Sequence, residues 1–110
     1  MIPEFLVQSV REFSASDEYL RLDDKDRRSP GIVCGAFSNY ISRIYNNSGG
    51  GSVVLPSAFA AIESLSSIED QTVQNLVVTE ILENIRFDEF PELVQKLGSK
   101  SRALHERWLK

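Results

Sequence analysis

The sequence predicts an all-α fold of five or six helices, and three observations carry that prediction. Apolar residues recur at three- and four-residue intervals along most of the chain. Proline and glycine fall where helices open and stop, as at Pro3, Pro30, Pro91 and Gly98. Strand evidence is confined to Ser52-Val53-Val54-Leu55, a short stretch without a partner. Helices joined by short turns give a compact bundle or a stack of helical hairpins, and no strict internal repeat decides between them.

The first helix carries Ile2, Phe5, Leu6, Val10 and Phe13 at helical spacing, with Pro3 in its first turn. Tyr19, Leu20 and Leu22 continue it or form a short second helix. The charged run "DDKDRRSPG", Asp23 to Gly31, reads as a loop, with Ser29 capping and Pro30 opening the next helix. That helix places Val33, Phe37, Tyr40 or Ile41, and Ile44 inside and ends at Asn46-Asn47. The run "NNSGGGS", residues 46–52, lacks the preceding strand and the lysine of a phosphate loop, and it reads as a flexible connection. Leu55, Phe59, Ile62 and Leu65 form the next apolar stripe. Ser67 with Asp70 three residues on forms an acidic variant of the capping box and predicts a helix from there to about Ile85. Pro91 opens a short helix holding Leu93, Val94 and Leu97, Gly98 stops it, and Ser99 caps a last helix with Leu104 and Trp108 one turn apart.

The chain has 110 residues and a formal charge of −4, which suits one domain, 1–110, with a single core. No apolar run approaches the ~20 residues that span a bilayer. The opening Met1-Ile2-Pro3-Glu4 has no secretory pattern, and Cys34 is the only cysteine, so a cytoplasmic location without disulfides is expected. Charge is unevenly placed. From Ala61 to Gln95, eight acids (Glu63, Glu69, Asp70, Glu80, Glu83, Asp88, Glu89, Glu92) face Arg86 alone, a net of −7, whereas the tail from Lys96 to Lys110 has five bases against Glu106. An acidic middle repels phosphate backbones and attracts basic proteins.

No catalytic or metal-binding pattern stands out. His105 lies among Arg102, Glu106 and Arg107 on an amphipathic helix and reads as a solvated residue, and Cys34 sits among apolar neighbours as a small core residue. One histidine and one cysteine far apart supply no ligand set, so no metal and no cofactor are expected. The acid pairs Asp23-Asp24, Glu69-Asp70 and Asp88-Glu89 fall at loops and helix starts, where the helix dipole favours them.

In "TVQNLVVTEILENI", Thr72 to Ile85, the residues Val73, Val77, Val78, Ile81, Leu82 and Ile85 share the core-facing sector, while Asn75, Thr79, Glu80 and Glu83 collect opposite. Leu76 falls within the polar side. A leucine ringed by carboxylates makes an apolar anchor with acidic steering, and Glu69, Asp70, Leu76, Thr79, Glu80, Glu83, Asp88 and Glu89 are the candidate partner-binding residues. Alternatively the basic last helix covers this face, with Lys100, Arg102 and Arg107 pairing to the acids. The tail's bases with Trp108 also permit a nucleic-acid reading, which the neighbouring acids disfavour.

The stretches "IPEFL", "SAFAAIESLSS", "TVQNLVVTEILENI" and "FPELVQKLGSKSRALHERW" together resemble a group of small bacterial helical proteins, some of which look like immunity proteins that neutralise a cognate antibacterial toxin. The resemblance rests on apolar spacing plus Asn75, Glu83 and Trp108. It implies an armadillo-like or HEAT-like helical fold, no catalysis and a protein-binding role. The partner would be a basic toxin domain, for example a nuclease, occluded by the acidic surface, with no small-molecule substrate and no membrane. The alternatives are a non-catalytic adaptor or regulatory domain in a bacterial complex, or a nucleic-acid binder using the basic C-terminal helix.

Overall fold

Ile2–Ser9 (α1) and Arg11–Ser14 (α2) open the computed structural model, which describes residues 2–48 and 52–109, without the side chains of Trp108 and Leu109. The glycines Gly49 to Gly51, expected as a flexible connection, lie outside the described residues. The remaining α-helices are Asp17–Leu20 (α3), Pro30–Ser48 (α4), Val54–Ser66 (α5), Gln71–Leu76 (α6) and Ser99–Leu109 (α7), with 3₁₀ turns at Asp26–Arg28 and Pro91–Lys96. No strand occurs among the described residues, and the fold is all-α. Ser52 to Leu55 does not form a strand: Val54 already begins α5, with the Ser52 hydroxyl accepting from its N–H at 3.2 Å.

The opening helix is interrupted at Val10, whose backbone leaves the helical region (φ −132°, ψ 89°) yet which stays buried. Phe13, at the hub of the core, meets Phe37 and Tyr19 edge-on at 5.1 and 5.3 Å and lies 5.6 Å from Tyr40. Such aromatic pairs add to what their burial alone contributes. Ser16 caps α3 by accepting from the Tyr19 N–H while donating to the Phe13 carbonyl at 2.6 Å. In α4, Tyr40 and Ile41 are both buried. Leu6, Leu55, Ile62, Ile81 and Leu93 complete a core that α1, α4, α5 and the later segments share.

Besides the break at Val10, two helix starts differ from the sequence reading. Ser67 opens no helix. The hydroxyls of Ser66 and Ser67 donate back to the Ile62 and Glu63 carbonyls at 2.8 and 2.9 Å, closing α5. Asp70 is the N-cap that follows, accepting from Thr72 N–H at 2.8 Å and Val73 N–H at 3.2 Å. At the last helix, the Gly98 carbonyl takes the first bond, from Arg102 N–H at 2.9 Å, and the Glu63 carboxylate, not Ser99, caps the end.

From Gln71 to Asn84 the chain forms one rod of changing pitch: α6, then a π turn over Val77–Ile81, then a 3₁₀ turn over Leu82–Asn84. Side-chain donors occupy carbonyls along it. Thr79 donates to Asn75 at 2.7 Å, Asn84 to Glu80 at 2.8 Å, and the buried Ser38 of α4 to Ile81 at 2.8 Å. These donors compete with the regular ladder where its pitch departs from α-helical.

Candidate functional site

The rod lies alongside α4, with Leu76 and Glu80 against the start of that helix and Ile81 opposite Ser38. Between the rod, α4 and α3 runs a groove of about 380 Å³, floored by Gly31, Gly35 and Ala36 and walled by Glu80 on one side and by Glu18, Arg21 and Leu22 on the other. Ile32 stands beside it, 44% exposed. A Cβ on Gly35 would meet only a Glu80 carboxylate oxygen, at 3.8 Å, so nothing within the chain requires glycine there. Glycine inside a helix is a destabilising choice, and here it keeps the groove floor low and open.

The eight predicted residues are spread along the rod and its flanks. Glu69 is exposed in the loop before it, and Asp70 caps its first turn. Thr79 and Glu83 stand one turn apart on the exposed side, in line with Gln71 and Asn75, whose side chains bond at 2.9 Å. Asp88 and Glu89 lie beyond the far end, where Glu89 pairs with Arg86 at 2.8 Å. At 1.5 Å per residue, Glu69 and Glu83 are roughly 20 Å apart, so these acids form a flank and not a single pocket. Leu76, expected as the exposed anchor, is half-buried against the core and faces Gly31. Glu80 is half-buried too, laid across the α4 glycines.

The acids therefore divide by duty. Asp70 caps α6, Glu63 caps α7, Glu89 is ion-paired, and Glu92 accepts from the Tyr45 hydroxyl. Glu69, Glu83 and Asp88 have no hydrogen-bond or ion-pair partner among the described residues. The pairs found there are Glu18–Arg43 and Arg86–Glu89. The basic tail does not neutralise the flank through Arg102, whose guanidinium donates to the carbonyls of Val94, Gln95 and Leu97 at 3.1 to 3.4 Å. A capping carboxylate keeps its charge, so the long-range field of the segment persists while its bonding capacity is used.

Local electrostatics separate the remaining groups. Burial pushes the Cys34 thiol up to about 12, with the charge of Glu80 adding to the effect, so it stays protonated. His105 is not solvated as expected: it packs on Phe87 with ring centroids 4.6 Å apart, and burial lowers its pKa. At Glu18 burial raises the carboxyl, but the Arg43 guanidinium at 2.7 Å outweighs it and holds the acid ionised. Among the described residues no three His, Cys, Asp or Glu side chains converge as a metal site would need. None of their helices is long and apolar enough to cross a membrane.

Sequence reasoning missed Glu18, Leu22, Ile32 and the two glycines of the groove. The legible signal was Gly31-x-x-x-Gly35, two residues lacking side chains one helical turn apart in the apolar first half of a helix. Comparison with family models, with curated proteins and with solved structures found no match.

Proposed function

We infer that this chain is a non-catalytic, immunity-type protein of the cytoplasm that captures a basic toxin domain and occludes its working surface. The observation that carries the reading is an acidic flank, with Glu83 on the rod, Glu69 in the loop before it and Asp88 beyond its end, whose carboxylates make no hydrogen bond or ion pair among the described residues, beside a groove with exposed Ile32 and with Glu80 on its wall. Uncompensated acids draw in lysine- and arginine-rich partners and speed the encounter, while an apolar seat beside them supplies the short-range contact. Ile32 and Leu22 at the groove would supply the apolar contact that the sequence reading gave to Leu76. Carboxylates arrayed along a rod stand in for the phosphates that a basic nuclease grips, so occlusion needs no chemistry from this chain. The resemblance to toxin-neutralising proteins points the same way.

The test is capture from the native host. Wild-type protein on a resin should retain a basic protein, released as salt is raised because exposed charges are screened within ~10 Å at 0.1 M. The double reversal Glu80→Lys with Glu83→Lys should cut retention at least about tenfold, the scale of one lost charge pair. Retention that survives the reversal, or a captured partner that is acidic, would overturn this surface.

A further inference from the structure

A second concavity, of about 560 Å³, lies between α1, α3 and the 3₁₀ turn Asp26–Arg28, and its chemistry is opposite to that of the acidic flank. Tyr19, Arg27 and Arg28 line one part, and Pro3 and Val7 give it apolar surface. The Arg27 guanidinium lies over the Tyr19 ring, 4.7 Å from its centroid, with one nitrogen donating weakly to the Leu20 carbonyl at 3.5 Å. Its Nε is buried and donates to nothing. Stacking on an aromatic face pre-orients the planar fork, which matches a carboxylate or phosphate with two parallel bonds.

The neighbouring acids do not quench this charge. Asp23, Asp24 and Asp26 surround the two arginines in sequence, yet neither Arg27 nor Arg28 enters an ion pair among the described residues. Asp23 is turned to its own loop, accepting from the Asp26 N–H at 2.8 Å. Arg27 is only part-buried, and its Nε shares the lack of an acceptor with Arg102 Nε, so it is the stacked, ion-pair-free guanidinium at the cavity that marks the site. The volume falls within the ~300–1,000 Å³ typical of small-molecule sites.

We propose that this cavity binds a small organic oxyanion, a carboxylate or phosphate on an apolar body, with Arg27 gripping the anionic end, Arg28 adding charge, and Pro3 and Val7 covering the rest. The site is separate from the toxin-binding reading and does not depend on it, and it departs from the sequence's expectation of a protein partner only.

Amide chemical shifts of the ¹⁵N-labelled full chain, followed in low-salt buffer during titration with phenyl phosphate, benzoate, inorganic phosphate and sodium chloride, test it. Saturable shifts at Val7, Tyr19, Arg27 and Arg28 with phenyl phosphate or benzoate support the site, and the stronger of the two identifies the headgroup. Arg28→Ala, at an exposed position, should weaken binding about fivefold. Arg27→Lys should weaken it about tenfold, because it keeps the charge but loses the fork, and the same spectra report whether each variant is folded. Overturning results are shifts that sodium chloride reproduces at equal ionic strength, inorganic phosphate binding as tightly as phenyl phosphate, or affinities unchanged in both variants.

Discussion

Glu63 and Glu83 come from the same acidic segment, and the molecule uses them in opposite ways. Glu63, on α5, reaches α7 across 37 residues of sequence and accepts from Lys100 N–H at 2.8 Å, Ser101 N–H at 2.9 Å and the Ser101 hydroxyl at 2.8 Å. Glu83 stands exposed on the rod without a partner among the described residues. Charge count treats the two as equals. The difference is set by which backbone donors come within reach, and that is decided by how α5 and α7 pack. A carboxylate that satisfies a helix N-terminus supports the fold, and one that faces water is available to another molecule.

Glu63→Ala should show the largest effect. It removes three hydrogen bonds at a half-buried cap, and urea unfolding should report a loss of about 2 kcal/mol. An unchanged midpoint would mean that water replaces the cap without loss.

Acid should abolish the same contribution. Burial raises the Glu63 carboxyl, but the bonds from Ser101 and Lys100 outweigh it, so its pKa lies below the ordinary 4.5. A folded-state pKa below the unfolded one gives stability that is complete above about pH 4.5 and is lost as pH falls through the folded value. The stability gap between wild type and Glu63→Gln should therefore narrow between pH 5 and pH 3, on the order of these carboxylate values. A gap that is constant across that range would show that the bonds do not depend on the ionised form.

Gly98 sits directly under the Glu63 cap. A Cβ there would overlap the Glu63 carboxyl group, so Gly98→Ala must displace the capping side chain. The expected cost is about 1–2 kcal/mol in wild type and close to none in the Glu63→Ala background, because neighbours that share one contact are not additive. Equal costs in both backgrounds would separate the two residues.

The smallest effect belongs to the exposed member. Glu83→Lys should change unfolding stability by less than about 0.5 kcal/mol. A larger loss would place Glu83 with Glu63 among the acids that hold the fold, and would remove it from the proposed interaction flank.

Element identity was largely legible along the chain. Apolar spacing put Leu55, Phe59, Ile62 and Leu65 on the buried side of α5, and all four are buried. Val77, Val78, Ile81, Leu82 and Ile85 are likewise buried along and just after the rod. The misreadings share one cause. Ser67 and Ser99 look like caps by local pattern, but Ser67 bonds backwards to Glu63 and the α7 cap comes from a distant helix. Leu76 looked exposed on a regular helical wheel, whereas in the folded chain it packs beside Gly31. The candidate surface was legible as an acidic segment but not as a shape, since the groove requires three elements to meet at Gly31 and Gly35.

Local pattern was enough for the all-helical class, for most of the buried positions and for the sign of the charge along the chain. These depend on residues within a turn or two of one another, where periodicity and backbone preference act without long-range closure. Tertiary structure alone decided which carboxylates are used as caps, where the rod widens against Ser38, and that Arg27 stacks on Tyr19 at the edge of a cavity. Hydrogen bonds fall off steeply with distance and angle, so partners up to 47 residues apart in sequence are chosen only once the helices have packed.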